Sequence, residues 1–427
     1  MRLYSTLQRT KVDLPEPPGP VGIYTCGPTV YQRIHIGNAR PFVLSMWLRA
    51  WLRHRGYEVT LVENITDIND KIYLAAPGAS SELAAQAAQW YIDDTDLLGL
   101  GRPDHEPRAT ESVEPIKALI AELVSRDLAY AAGGDVYFRV AGFPEYGTLS
   151  GQRPDQVQEQ DGETSPLKED PRDFALWKAH KEGEDTVWDS PWGPGRPGWH
   201  IECSAMAEQF LGPRFDIHLG GLDLVFPHHE NELAQSRGAG REFAHIWMHN
   251  GMLELTGEKM SKSLGNIATL REVISEWGRA TVLVYFLGAH WRSPIDFSDA
   301  SLIQAKSQVD ALRATLLDAE EGEAPGWDRF MAALEDDFNT PQALAVMHEW
   351  MRSGLREPLQ TATHLFLGDF PRARRTPSDD LIALAEERSA SRERGDYEEA
   401  DRFRAKLAEL GWEIRDTPGG YSLEERE

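Results

Sequence analysis

The sequence predicts an α/β protein built on a parallel β-sheet, with an insertion, a helical region and a small C-terminal α/β element. Three observations predict this class. A strand–helix–strand pattern covers about residues 21–66, and strands joined by a helical crossover pair in parallel. Further strand and helix patterns resume at Pro197, after a stretch rich in glycine, proline and charge. From about residue 300 onward, helical patterns predominate.

Strand and helix patterns can be followed along the chain from Val21 onward. The first strand, VGIYT, starts at Val21 and is continuously apolar, which is typical of a buried strand. The helix that follows has Asn38 as its predicted N-cap and ends before Gly56, and YEVTLVENIT is the next strand. Residues from about 78 to 130 predict helix, and VYFRV predicts a short strand. Beyond Pro197 the patterns predict a helix, the strand FDIHLGG, a helix from near Pro227 and the strand HIWMHNGML. Amphipathic runs near 300–318, 326–356 and 378–410 predict the C-terminal helices.

Size and composition limit the functional classes. A chain of 427 residues is expected to form several domains, and no apolar run is long enough to span a membrane. The N-terminal residues contain no apolar signal core, so we expect a cytoplasmic protein without membrane contact. The net charge of −25 argues against non-specific coating of nucleic acid, although a local basic face could still bind it specifically. Three arginine groups are candidate basic faces, although each taken alone is more typical of a solvated helix surface: Arg49/Arg53/Arg55, Arg372/Arg374/Arg375 and Arg388/Arg392/Arg394.

The stretch from Val21 to Arg40 predicts an anion site. A strand that turns into a helix N-terminus presents unpaired N–H groups and the positive end of the helix dipole, and both favour a phosphate. Cys26 lies at the tip of this strand and His35 at the mouth of the helix. Thr66 and Asp67 follow the next strand, at the edge where parallel sheets bind ligands, although such residues also commonly cap helices.

Four side chains have the types and spacing of a metal site. His228 and Glu232 lie four residues apart on one predicted helix face, and His229 with Glu232 is the geometric competitor. With the thiols of Cys26 and Cys203, one imidazole and one carboxylate would complete a four-ligand zinc shell. On spacing alone the alternative stays open, because adjacent histidines often only cap a helix or line a core, and each thiol is equally compatible with an inert core residue.

ATP phosphates would have to be bound by a motif other than a P-loop, because the sequence contains no GxxxxGK[ST]. His35 and Asn38 at the helix mouth supply one part of it. Lys259 and Lys262, in the polar segment EKMSKSLGN, supply mobile ammonium groups that can stabilise charge developing on a pyrophosphate.

HIGN and KMSKS resemble the two signatures of class I aminoacyl-tRNA synthetases. The surrounding text resembles the cysteinyl-tRNA synthetase family in particular: CGPTVYQRIHIGNARPFV, NITDINDKI, RPGWHIECSAM, FPHHENE, EKMSKSLGN, DDFNTPQAL and EADRFRAKLAELGWEIRDTP. The resemblance extends from Leu3 to about Pro418.

The resemblance implies a fold and a reaction. The fold is a Rossmann-like catalytic domain in two halves, 1–98 and 197–298, separated by an insertion at 99–196 and followed by a helical bundle at 299–376 and an anticodon-binding domain at 377–427. The reaction is ATP-dependent activation of L-cysteine, with Mg²⁺ accompanying ATP, and transfer to tRNA(Cys) by a cytoplasmic monomer. No segment suggests a separate editing domain.

The resemblance also assigns roles to residues. It implies one zinc ion, bound by Cys26, Cys203, His228 and Glu232, that selects the substrate thiolate, and a cysteine pocket lined by Thr66 and Trp199. It implies that ATP binds at His35, Gly37, Asn38, Gly221, Asp223 and Lys262, with His35, Asn38, Lys259 and Lys262 acting in catalysis. Arg392, Asp401 and Asp416 are candidates for contacts with anticodon bases.

Three departures and three alternatives accompany this hypothesis. Leu219 stands where the family has a glycine, GGYSLEERE replaces a tryptophan–arginine ending, and the helical segment before the last domain is short. The nearest alternative is the cysteine ligase of mycothiol biosynthesis, whose acceptor is an amino-sugar; HIGN and the terminal segment argue against it. An inactive RNA-binding paralogue and a structural zinc protein are the others, and the intact signature lysines argue against both.

Overall fold

The computed structural model describes residues 1–152, 165–255, 258–259, 268–318, 326–370, 377–417 and 420–425. The chain divides into two compact units, Met1–Gly368 and Asp369–Glu427. Within the described residues, no helix is both long enough and apolar enough to cross a membrane. The predicted boundaries inside the first unit stay a prediction.

The first unit contains thirteen described strands and twelve described helices. The strands are β1 Arg2–Ser5, β2 Thr10–Asp13, β3 Pro20–Thr25, β4 Glu58–Glu63, β5 Ala129–Ala132, β6 Asp135–Phe138, β7 Phe174–Ala179, β8 Gly195–Pro197, β9 Arg214–Gly221, β10 Phe243–Asn250, β11 Leu253–Leu255, β12 Glu258–Lys259 and β13 Ile295–Asp296. The helices are α1 Ile36–His54, α2 Asp70–Ala75, α3 Ser80–Asp96, α4 Val113–Ser125, α5 Trp199–Leu211, α6 Glu230–Gly238, α7 Leu270–Trp277, α8 Arg279–Leu287, α9 Asp299–Asp318, α10 Trp327–Glu335, α11 Thr340–Ser353 and α12 Arg356–Leu367.

The central sheet has four parallel strands in the order β10-β9-β3-β4, which confirms the predicted fold class. Thr25 lies opposite both Glu63 and Leu219, so the carboxyl ends of β3, β4 and β9 meet at one edge. Three of the last four residues of β3 are fully buried, which explains the continuous apolar run in the sequence. This edge is where a parallel sheet binds ligands.

Helix α1 follows β3 and begins earlier than predicted. Its N-cap is His35 rather than Asn38, because the His35 Nδ1 atom accepts a hydrogen bond from the Gly37 N–H at 3.1 Å. Asn38 lies inside the first turn. The helix ends at His54, and Gly56 follows with a φ of +89°, as the pattern predicted.

The insertion forms an antiparallel sheet in the order β5-β6-β7-β8. The sequence pattern predicted the region of β6 but missed β5, β7 and β8, and β5 begins inside the stretch predicted as helix. The first four residues of β7, Phe174 to Trp177, are all buried, so the alternation of apolar and polar residues that marks a half-exposed strand is absent.

The helical region of the first unit confirms the run near 300–318 as α9, but the run at 326–356 is two helices. The chain breaks between α10 and α11 at Asp337 and Phe338, whose φ values are +69° and +47°. Asp337 accepts hydrogen bonds from Arg292 at 2.6 Å and from the Tyr4 N–H at 2.8 Å, and Phe338 is fully buried. Tertiary contacts therefore stabilise a backbone that the amphipathic pattern does not reveal.

The second unit consists of a helical hairpin and a two-stranded antiparallel sheet. Its elements are α13 Asp379–Glu393, α14 Tyr397–Glu409, β14 Trp412–Thr417 and β15 Gly420–Glu425. Ala385, Leu407, Trp412 and Ile414 form its small core. The predicted run at 378–410 is thus a pair of helices separated by a turn at Gly395 with a φ of +77°.

Candidate active site

Four potential metal ligands converge below the carboxyl edge of the central sheet. Cys26 follows β3, where its N–H donates to the Leu219 carbonyl at 3.0 Å, and Cys203 lies in α5. His228 lies in an irregular turn, Val225–His229, directly before α6, and Glu232 lies in the first turn of α6. All four side chains are buried, and their potential ligand atoms lie within 4.8 Å of one another.

The individual separations are short and mutually consistent. Cys26 Sγ lies 3.6 Å from His228 Nε2 and 3.4 Å from Glu232 Oε1. His228 Nε2 lies 3.1 Å from Glu232 Oε1. The other nitrogen of His228, Nδ1, lies 2.8 Å from His200 Nδ1, so a hydrogen bond there leaves Nε2 facing the thiols and the carboxylate.

A second donor group overlaps the first. It consists of Cys26, His218, His229 and Glu232, and it omits the second thiol. His218 Nε2 lies 2.8 Å from Glu232 Oε2, while His229 Nδ1 lies 2.7 Å from His249 Nε2. These contacts orient Glu232 and His229 from the outside of the cluster, so the same residues can act as support for the first group.

Burial determines the protonation of these groups. It raises the pKa of the Cys26 thiol well above its ordinary value, raises that of Cys203, and lowers the pKa of His228 and His229 well below theirs. The imidazoles are therefore neutral and retain a lone pair for a metal. Both thiols hold their protons unless a cation replaces them, which makes the cluster compatible with a metal ion.

A cavity of about 420 Å³ opens at the same edge of the sheet. Of the predicted ATP-site residues, five line it: His35, Gly37, Asn38, Gly221 and Asp223. Asn38 and Asp223 are exposed to the cavity and solvent, and the acceptor role of His35 Nδ1 assigns the ring proton to Nε2. The side chain of Lys259 and the whole of Lys262 lie outside the described residues.

Leu219, which departs from the family glycine, does not line the cavity. Its side chain is fully buried, and its backbone pairs with Thr25 and Met248 on the neighbouring strands. The leucine therefore points into the core.

The two predicted cysteine-pocket residues differ in their surroundings. Trp199, the first residue of α5, lines the cavity, and its ring lies over that of His228 with a centroid separation of 4.2 Å. Thr66 is buried and is not among the cavity-lining residues; its hydroxyl accepts a hydrogen bond from Asn64 Nδ2 at 3.1 Å. Asp67 accepts two hydrogen bonds from Thr110, at 3.0 and 2.7 Å, and it does not cap the following helix, whose N-cap is Asn69.

Several residues around the cluster were missed by sequence reasoning. Besides His200, His218 and His249, these include Asn64, whose Oδ1 lies 3.8 Å from Cys203 Sγ and accepts from the Gly27 N–H at 3.1 Å. The only signal in the sequence was the position of His218 and His249 near the ends of predicted strands. Such histidines are too common in buried sheets to be selected without the neighbouring elements.

The predicted anticodon residues and basic faces are mostly paired with acids. Asp416 forms ion pairs with both Arg388 and Arg392, and Asp401 is exposed on α14. The other described arginines of the candidate faces are paired as Arg49–Asp104, Arg53–Asp104, Arg55–Glu335 and Arg394–Glu399. The remaining face, Arg372/Arg374/Arg375, lies outside the described residues.

Comparisons with known proteins agree with this geometry. A family model described as the class I (C) tRNA synthetase catalytic domain matches residues 14–307, and a DALR domain model matches residues 329–353. The chain is similar in fold to Mycobacterium tuberculosis methionyl-tRNA synthetase in complex with methionyl-adenylate, with a TM-score of 0.56, 15% identity, and 91% and 88% of the two chains covered. It is also similar to the agnB2 LeuRS of Agrobacterium radiobacter K84, with a TM-score of 0.59, 12% identity, and 83% and 84% covered.

Curated relatives are much closer in sequence. The cysteine–tRNA ligase of Methylobacillus flagellatus is 44% identical over an alignment of 451 positions, which covers 99% of each chain. That of Caldicellulosiruptor saccharolyticus is 41% identical and also covers 99% of each chain. The chain therefore belongs to the cysteine–tRNA ligase family of class I aminoacyl-tRNA synthetases.

Proposed function

We propose that this protein activates L-cysteine with ATP to cysteinyl-adenylate and then transfers cysteine to the 3′ end of tRNA(Cys). One observation carries the proposal: a buried group of two thiols, an imidazole and a carboxylate lies at the same sheet edge as a cavity lined by the mouth of α1. The buried donor group suits selection of a thiol substrate, and the cavity at the mouth of α1 suits binding of phosphates. Full-length relatives named cysteine–tRNA ligase support the same activity and give no support to the amino-sugar alternative.

The activation step requires positioning and charge stabilisation rather than a covalent enzyme intermediate. In the proposal, His35 and Asn38 bind the ATP phosphates with the N-terminal N–H groups of α1, close to Gly37, where an added Cβ atom would lie 3.0 Å from the His35 ring. The exposed carboxylate of Asp223, beside Gly221, accepts hydrogen bonds from the ribose hydroxyls. Lys259 and Lys262 neutralise the leaving pyrophosphate, which Mg²⁺ accompanies.

The metal is proposed to be zinc, held by Cys26, Cys203, His228 and Glu232. Ligand distances of roughly 2.0–2.3 Å in a tetrahedral site imply donor separations of about 3.5 Å, and the measured separations of 3.1, 3.4 and 3.6 Å are close to this value. When bound, zinc would supply a soft Lewis acid that accepts the thiolate of cysteine and disfavours the hydroxyl of serine. Trp199, whose ring centroid lies 4.2 Å from that of His228, and Thr66 shape the amino-acid pocket.

The anticodon contacts, the compartment, the oligomeric state and the domain division are further proposals. The second unit would contact the anticodon through Arg392, Asp401 and Asp416, and the paired Arg392 and Asp416 would exchange their mutual contact for base edges. The enzyme would act as a cytoplasmic monomer with the five-part division given above.

Two assays test the function. Cysteine-dependent ATP–pyrophosphate exchange should far exceed serine-dependent exchange at equal concentrations, because only the thiolate suits the proposed soft site. The activated cysteine should be transferred to tRNA(Cys) and not to an amino-sugar. Equal exchange with serine would contradict the thiol-selecting site, and transfer to the sugar instead of tRNA would contradict the tRNA ligase.

A further inference from the structure

The carboxylate of Asp70 joins the insertion to the segment that follows β4. Asp70 is the first residue of α2, and it lies four positions after Thr66. Its Oδ2 atom accepts a hydrogen bond from the Lys178 ammonium at 2.9 Å, and its Oδ1 atom accepts one from the Arg196 guanidinium. Lys178 lies in β7 and Arg196 in β8, so both cations come from the last two strands of the antiparallel sheet.

The two cations face each other on neighbouring strands. Lys178 and Arg196 are directly opposite in the antiparallel pairing of β7 and β8, where like charges destabilise a sheet. Only 2% of the Arg196 side chain and 14% of the Lys178 side chain are exposed, so solvent screens this repulsion weakly. Glu184 pairs with Arg196 at 2.9 Å, but within the described part of the chain Lys178 forms an ion pair only with Asp70. The strand pair therefore presents a built site for the Asp70 carboxylate.

The strand that carries Arg196 also positions Trp199, three residues further along the chain. Gly198, between them, donates its N–H to the Leu176 carbonyl on β7 at 2.8 Å. A Cβ atom added at Gly198 would lie 2.2 Å from the Ala175 carbonyl oxygen, so the two backbones are in close contact here. Trp199 is therefore held to the insertion sheet at its own N-terminal side.

Thr66 is held by a different part of the fold. Its N–H donates to the Pro28 carbonyl at 3.3 Å, and its carbonyl accepts from the Val30 N–H at 3.1 Å, both in the segment that follows β3. One wall residue of the proposed cysteine pocket is thus attached to the segment after β3 and the other to the insertion sheet. Asp70 connects these two attachments, because it starts the helix directly after the Thr66 segment and pairs with both strands that hold Trp199.

We propose that Asp70 is a positioning residue that sets the size of the amino-acid pocket. By pairing with the two strand cations, its carboxylate fixes the distance between Thr66 and Trp199. The inference rests on the proposed function, in which these two residues shape the pocket. A thiol-selecting site does not by itself measure chain length, because homocysteine carries the same thiol on a side chain one methylene longer. The walls of the pocket must supply that discrimination, and a wall can do so only if its position is fixed.

The test compares ATP–pyrophosphate exchange driven by cysteine and by homocysteine in Asp70→Asn, which removes the charge at almost constant shape. The KM for cysteine should rise by about tenfold, the lower end of what one charged hydrogen bond contributes, and the KM for ATP should stay within about twofold. The ratio of kcat/KM for cysteine to that for homocysteine should fall by about tenfold, because one methylene is worth roughly 10- to 200-fold in a rigid pocket. A purely structural role would lower exchange with both substrates alike and leave this ratio unchanged.

Two further variants isolate the contact. Asp185→Asn alters another contact between the insertion and a neighbouring helix, in which Asp185 accepts from the Ser80 N–H at 2.7 Å, and it should leave the ratio unchanged. Lys178→Gln removes one partner of Asp70 and should lower the ratio. The double variant Asp70→Asn/Lys178→Gln should lose no more than Asp70→Asn alone, because both changes remove the same contact. Thermal unfolding and metal content of every variant verify that it is folded and loaded.

The outcomes separate this proposal from the function itself. An unchanged ratio in Asp70→Asn, or an equal rise in the KM for ATP, would overturn the positioning role, and so would losses that multiply in the double variant. Should Asp70→Asn fail to fold, Lys178→Gln decides: a lower ratio supports the proposal and an unchanged ratio overturns it. If the unmodified enzyme shows no cysteine-dependent exchange, the proposed function fails; if it exchanges normally and Asp70→Asn keeps the ratio, only the positioning role fails.

Discussion

Cys26 and Cys203 are the chain's only two cysteines, and both thiols lie in one buried cluster. Burial raises the pKa of both, so a pair of ionised thiols without a cation would be costly there. A metal ion removes that cost, and it gives the adjacent neutral His228 a partner. We therefore expect each of the four proposed ligands to be indispensable for holding the metal ion.

Replacement of Cys203 by serine should remove the metal. A serine hydroxyl remains protonated and is a harder donor, so we expect Cys203→Ser to lose bound zinc. Cysteine-dependent exchange should fall by at least about 100-fold, because loss of a residue that only supports a metal ligand already costs up to about 100-fold. Elemental analysis of the purified protein and the exchange assay measure both effects. His228→Gln should behave similarly, whereas His229→Gln should retain zinc; the reverse order would favour the second donor group.

The buried carboxyl group of Glu63 leads to a second prediction, which concerns the pH dependence of the free energy of unfolding. Burial, reinforced by nearby Glu106, raises its pKa to about 8, and Tyr91 donates a hydrogen bond to it. Between the pKa of an unfolded glutamate, about 4.3, and the folded value, unfolding releases a proton. The free energy of unfolding should therefore fall as pH rises through this window, by up to about 1.4 kcal/mol per pH unit.

Glu63→Gln should abolish that component. Urea unfolding at pH 5.5 and 7.5 should show a decrease for the unmodified protein that is roughly 2–3 kcal/mol larger than for the variant. Glu58→Gln, at the exposed first residue of the same strand, is the matched control and should leave the decrease unchanged. Identical pH dependence in the unmodified protein and Glu63→Gln would show that this carboxyl is ionised in the folded state.

The strand ends are the elements that bring the site together. Gly27 lies where β3 turns toward α1, and a Cβ atom there would lie 1.8 Å from the Asn64 carbonyl oxygen at the end of β4. Because that neighbour is backbone, a side chain cannot be accommodated by rotation of a flexible group. Close approach of the β3 and β4 ends thus positions both Cys26 and Asn64.

Gly27→Ala should separate these ends. We expect a destabilisation of about 1–3 kcal/mol, typical of overpacking, together with loss of zinc, because Cys26 must move with the turn. Gly19→Ala, before the same strand, has no atom within 4 Å of the added Cβ and serves as the control. Chemical unfolding and elemental analysis measure the two effects, and a Gly27→Ala variant with normal zinc content and exchange would refute the close-approach argument.

At the scale of the whole molecule, the chain separates the chemistry from its second unit. All four proposed zinc ligands and the cavity belong to Met1–Gly368, while Asp369–Glu427 has a core of its own. Two compact units of this kind allow activation and tRNA selection to be divided between them.

A chain that ends at Gly368 should retain adenylate formation and lose tRNA charging. We expect cysteine-dependent exchange within about twofold of the full chain and a loss of at least about tenfold in kcat/KM for tRNA(Cys), since only tRNA recognition would involve the second unit. Exchange and charging measured on the same preparation separate the two effects. Unchanged charging would contradict an anticodon role for that unit, and lost exchange would show that the first unit needs it for folding.

The class of fold and the family could be predicted from the sequence, and so could the four side chains that meet in the buried cluster. Continuous apolar strands, a helix ending at Gly56 and the two signature motifs depend on local residue order, and local order is readable without coordinates. The local order of residues did not predict the backbone at positions where contacts with distant residues determine it. Helix α1 starts at Ile36, whose N–H donates to the distant Ala268 carbonyl at 3.1 Å, so His35 and not Asn38 is its N-cap. Phe338 has a left-handed backbone because its side chain is buried.

The way in which distant segments meet is visible only in the folded protein. It brought His200, His218 and Asn64 around the proposed metal ligands and buried Leu219 away from the cavity. It also paired the arginines of the two described basic faces with acids. It also joined Arg33 and Arg271 through Asp94, a contact between residues far apart in the chain. The physical reason is that burial and charge pairing depend on distances in space, and the packing of the complete fold sets those distances.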